Sequence, residues 1–212
     1  MENLFALCIL EEGGELYLGE IPSFVQVESI DWVPIETEDY YSISVIDLLV
    51  NSESVEVPSY FFNTAAGSGS AVDSGTTELL LSQTVYNAFV AKVLSLCSEK
   101  NNLIGICDVE PVDSLFAGNC YEIDDKLIHN YPVISLVFNG GAILDVPPSA
   151  YLVQGLCGED YPELYAVAID PVEDRWGTIL GDTFMKNRIS IFDRVVSFFS
   201  FINLFHKISP CL

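Results

Sequence analysis

The chain has 212 residues, half of them apolar, which suits one domain with a sizeable core. Its formal net charge of −23, from 31 Asp and Glu against 8 Lys and Arg, leaves no basic stripe to neutralise phosphates and argues against a nucleic-acid partner. No apolar run reaches the length of a membrane span, so no transmembrane segment is expected. Carboxylates at this density repel one another at neutral pH and become protonated in acid, which fits an acidic compartment.

In chain order, residues 4–10 and 15–19 form a plausible hairpin about Glu12-Gly13-Gly14. Residues 31–35 and 40–50 are the next strand candidates, and Asn51 to Glu56 reads as a loop or hairpin tip. Gly67-Ser68-Gly69-Ser70 gives a flexible approach to the following strand. Ser82 is placed to cap a helix over 83–96, with Val85, Tyr86, Phe89, Val90, Val93 and Leu94 on one apolar face. That stripe is core and not a cofactor box. Residues 98–130 are polar and loop-rich. Strands resume at 134–138, turn at Asn139-Gly140-Gly141, and continue at 142–146, 165–169, 177–181 and 189–192, with a helical turn near Phe184-Met185-Lys186. The apolar run from Val195 to Phe205 is expected to supply the last buried strands. The sum is a mainly β fold with one or two short helices.

The cysteines at 8, 97, 107, 120, 157 and 211 are even in number, which suits an oxidising compartment. No pair has Cys-x-x-Cys spacing, and neither His129 nor His206 has an i, i+4 partner, so neither a metal site nor any other cofactor is expected. Six cysteines allow fifteen connectivities, and the residues alone do not choose among them. Ser68, Ser70 and Ser74 are not in a Gly-x-Ser-x-Gly elbow, which counts against a serine nucleophile. The start of the chain does not read as a signal peptide, because Met1-Glu2-Asn3 carries no positive charge and the apolar run 4–10 ends in Glu11-Glu12.

The chemistry is concentrated in Ala71-Val72-Asp73-Ser74-Gly75-Thr76-Thr77. A carboxylate ends an apolar run and meets a hydroxyl, a glycine and two more hydroxyls. Such a turn can aim an aspartate at hydroxyl and backbone N–H donors, as an oriented catalytic carboxylate requires. Taken alone, the same string serves as a hairpin turn.

A second stretch changes the balance: Gly177-Thr178-Ile179-Leu180-Gly181-Asp182-Thr183-Phe184-Met185, followed by Ile189-Ser190-Ile191-Phe192-Asp193-Arg194. Together the two resemble the C-terminal lobe of the pepsin-like aspartic proteases (peptidase A1). There, a strand enters an Asp-Thr/Ser-Gly-Thr loop and a later apolar-apolar-Gly strand threads beside it. Phe5-Ala6-Leu7, Glu15 to Gly19, Trp32 to Ile35, Tyr40 to Ile43 and Pro148 to Leu152 resemble further segments of that lobe, in the family's order.

The resemblance implies that residues 1–212 form one such lobe and that Asp73 is one of two catalytic aspartates. Ser74 then helps lock the two active-site loops, Gly75 lets the backbone approach the carboxylate, and Thr76 hydrogen-bonds it. It implies the disulfides Cys120–Cys157, Cys8–Cys211 and Cys97–Cys107. Asp182 and Asp193 read as structural, Asp193-Arg194 as a local ion pair or turn. The first lobe, with its own aspartate, has no counterpart here. The expected partners are a peptide or protein substrate and that missing lobe, in preference to a second copy of the chain. The expected location is the secretory pathway, extracellular space or an acidic vacuole-like compartment, with leader and first lobe in sequence outside this stretch. The rival expectation is a truncated fragment or an inactive, peptide-binding relative that lacks the dyad.

Overall fold

The computed structural model describes residues 2–10, 13–23, 25, 30–37, 40–64, 69–98 and 101–203. The chain opens with β1 (Leu4–Leu10) and β2 (Gly13–Leu18), an antiparallel hairpin, then β3 (Trp32–Thr37). Next come β4 (Ser42–Ile43), β5 (Val45–Val50) and β6 (Glu53–Ser54). β7 (Ser70–Val72) leads to the Asp73 turn, β8 (Leu79–Ser82) leaves it, and α1 (Gln83–Leu94) follows directly. After short 3₁₀ turns between 111 and 130 come β9 (Ile134–Phe138), β10 (Ile143–Val146), α2 (Pro148–Tyr151) and β11 (Leu152–Gln154). The chain continues through β12 (Tyr165–Val167), β13 (Ile169–Val172), β14 (Ile179–Leu180), α3 (Asp182–Met185), β15 (Arg188–Asp193) and β16 (Phe198–Asn203). The fold is mainly β with short helices, as the sequence indicates.

Among the described residues the strands form a ten-stranded sheet in the order β13-β8-β14-β7-β4-β3-β16-β15-β1-β2, a four-stranded sheet β10-β9-β5-β6 and the pair β11-β12. Alternation sets which side chains go where. Leu4, Ala6 and Cys8 of β1 pack with Ile189 and Ile191 of β15 in a small cluster, whereas Phe192, Phe199 and Phe201 join the main core. That core is closed by Phe62, Phe89, Phe138 and Phe184, all fully buried.

Several boundaries differ from the sequence reading. The expected strand 40–50 is two strands: β4 pairs with β3 and β7, whereas β5 pairs with β9 in the other sheet. The expected strand 165–169 divides in the same way, β12 against β11 and β13 against β8. Neither break is a turn: each is a single residue, Ser44 or Ala168, at which the chain changes sheet. Val195 and Val196 are not in a buried strand; they are 66% and 58% exposed in the β15–β16 turn, where both backbone N–H groups donate to Asp193 Oδ1. Asp193 therefore makes the turn. The helix stops at Leu94, and Leu94 itself is exposed, so the apolar face narrows to Val85, Tyr86, Phe89 and Val93.

Disulfides join Cys97 to Cys107 and Cys120 to Cys157, the pairs implied by the resemblance. The Cys8–Cys211 pairing involves Cys211, which, like His206, lies outside the described residues. Gly67 and Ser68, expected as part of a flexible approach, and Glu12 of the first hairpin turn lie outside them too.

Candidate active site

The site is built where β14 threads between β7 and β8. β14 runs parallel to β7 and antiparallel to β8, so the chain passes over it through residues 73–78. Ala71 N–H donates to Thr178 O and Asp73 N–H to Leu180 O (3.0 Å), which fixes the backbone up to the carboxylate. Thr76 N–H then donates to Asp73 O (3.2 Å), closing the turn.

The Asp73 side chain is exposed, yet both oxygens are held. Gly75 N–H donates to Oδ1 (2.9 Å) and the Thr76 hydroxyl to Oδ2 (2.8 Å). Two donors on separate oxygens fix the plane of the carboxylate. A Cβ at Gly75 would stand 3.1 Å from Oδ1, so the close approach is what that glycine permits. Ser74 lies exposed in the turn. Asp73, Gly75 and Thr76 are thus brought together around one carboxylate. His129 lies in the last turn of the 3₁₀ stretch Asp125–Asn130.

The far wall of the loop comes from α3, whose Asp182 the sequence reading placed only as structural. Asp182 N–H donates to Thr76 O (2.8 Å) and Thr183 N–H to Thr77 O (3.0 Å), with the Thr183 hydroxyl also on Thr77 O (3.1 Å). Gly181, just after β14, packs hard against the loop: a Cβ there would lie 2.3 Å from Thr76 O and 2.4 Å from Glu78 O. These contacts are mostly main-chain, which is why residue types alone did not reveal Thr183. The signal was the Gly-Asp-Thr string itself.

Carboxylates crowd this end of the sheet. Burial raises the Asp182 carboxyl above its usual range; Lys186 opposes the shift and the Asp73 charge adds to it. Burial likewise raises Asp170, and burial together with Asp170 raises Glu78. A groove of about 300 Å³ runs along α1 past Tyr86, Val90, Ile106 and Phe116, but it does not include Asp73.

The family described as eukaryotic aspartyl protease matches residues 1–202, and the chain belongs to that family. It is 27% identical over 186 residues to pepsin A of Bos taurus, covering 87% of this chain and 42% of that protein. It is 28% identical over 186 residues to gastricsin of Oryctolagus cuniculus, covering 86% and 40%. It is 25% identical over 195 residues to aspartic proteinase 36 of Arabidopsis thaliana, covering 91% and 38%. The chain thus spans about two fifths of the length of these relatives.

Proposed function

We propose that this chain is one lobe of a two-lobed aspartic endopeptidase, the C-terminal one, and that Asp73 is one of its two catalytic aspartates. The observation that carries this is an exposed carboxylate whose oxygens are each held by a donor of its own loop. Its open face remains free to meet a second aspartate and a water.

Two adjacent carboxyls share one proton, because like charges that close cannot both ionise. The charged one removes a proton from the water, and the protonated one polarises the scissile carbonyl of a bound peptide. Gly75 and Thr76 orient Asp73 for either role, and Ser74 offers its hydroxyl to the facing loop. The second aspartate comes from the part of the protein that corresponds to the remaining three fifths of the relatives, in preference to a second copy of this chain. Disulfides and acid-favouring carboxyls suit the secretory pathway or an acidic compartment.

The test is peptide cleavage by the full-length protein in acid, with and without Asp73→Asn. Loss of at least about a hundredfold in kcat is expected, the usual worth of a positioned acid–base group. Unchanged cleavage would remove Asp73 from the reaction. Peptide binding without cleavage by the wild-type protein would favour a binding protein that keeps the fold.

A further inference from the structure

Arg188 opens β15 with only 3% of its surface exposed. Its Nη1 donates to Phe184 O (2.6 Å) and its Nη2 to Asp145 O (2.8 Å). A buried cation is therefore solvated by main-chain carbonyls of two separate elements, α3 and β10. Burial lowers its pKa to about 10 while Asp145 opposes the shift, so the charge survives at neutral and acid pH. An apolar side chain of similar length would fill this space without the desolvation cost. What only Arg supplies is a rigid fork of donors pointing two ways.

The Phe184 carbonyl belongs to a helix of one turn, too short to hold its own shape. The other end of that turn is the wall of the Asp73 loop, through Asp182 N–H on Thr76 O and Thr183 N–H on Thr77 O. Thr76 in turn donates its hydroxyl to Asp73 Oδ2. We propose that Arg188 is a positioning residue, which clamps α3 from behind and so sets the Thr76–Thr77 side of the Asp73 loop. Its relevance to catalysis rests on the protease reading above, but the clamp itself can be read without any activity.

Amide hydrogen exchange in the full-length protein, wild type against Arg188→Met and Arg188→Lys, tests it. Arg188→Met is expected to speed exchange at Asp182 and Thr183 by about tenfold, the worth of one charge-assisted hydrogen bond, while the Asn51 and Val55 amides, which donate to Val133 O and Leu48 O, keep their rates. Arg188→Lys, which retains the charge, should restore part of the protection. Acceleration by the same factor at all four amides, or none at Asp182 and Thr183, would overturn the clamp. Should the Met variant not fold, the Lys variant decides by the same comparison. With a clamp, kcat on peptide falls in Arg188→Met at unchanged KM. An inactive wild type would sink the protease reading and leave the exchange result standing.

Discussion

A methyl group at position 181 would sit 2.3 Å from one backbone carbonyl oxygen and 2.4 Å from another, and neither belongs to a side chain that can swing away. Gly181→Ala is therefore expected to cost about 1–3 kcal/mol, the range for overpacking a tight site, read as a lower urea midpoint. Gly75→Ala is the informative contrast. Its Cβ meets the Asp73 carboxylate at 3.1 Å, an atom that can give, so the fold should tolerate it. The strain would fall on the carboxylate geometry instead. If both variants unfold equally, the distinction between a structural and a site glycine fails.

At the scale of elements, α1 holds the loop from its exit side. β8 runs without a break into the helix, and the Ser82 hydroxyl caps it by accepting from Val85 N–H. Asp174, ninety residues away, adds a second cap: its carboxylate accepts from both the N–H and the hydroxyl of Thr84, each at 2.8 Å. A carboxylate at a helix N-terminus also meets the favourable end of the helix dipole. Asp174→Ala should cost about 1 kcal/mol, as other N-cap losses do, in a denaturant titration. Asp174→Asn should recover most of that, since the amide oxygen can still accept. Ser82 was readable as a cap because it immediately precedes the apolar periodicity. Asp174 was not, because no local pattern links it to Thr84.

For the whole molecule, charge sets the response to pH. Asp170, Glu78 and Asp182 all have carboxyls raised above their ordinary values, chiefly by burial. A raised carboxyl means the folded chain binds protons more tightly than the unfolded one. That stability is fully present below the ordinary carboxylate range and is lost as pH rises through the raised values. Glu53, lowered by Lys92, works the other way, but it is exposed and the pair is screened by solvent. Repulsion within a chain of net charge −23 acts in the same direction as these raised carboxyls. Urea midpoints should therefore be higher in mild acid than at neutral pH. Asp170→Asn should narrow the gap, both by removing its own penalty and by relieving Glu78. A gap that widens in that variant would contradict the assignment.

The sequence by itself determined the mainly β class, the capped helix after β8 and the Asp73 turn. Each is written in local chemistry: alternation, a capping hydroxyl, a glycine beside a carboxylate. It also located the second half of the site as a string, Gly181-Asp182-Thr183, without saying what that string touches. Only the tertiary structure decided where strands 40–50 and 165–169 divide, since a change of partner sheet needs no turn. The exposure of Val195 and Val196 was decided there too, by Asp193 drawing their N–H groups into a turn. So was the burial of Arg188, whose carbonyl partners lie 4 and 43 residues away. Periodicity reports how a residue sits within its own element. Which element comes to rest against it depends on packing over the whole chain, and the wall of this site is made of such contacts.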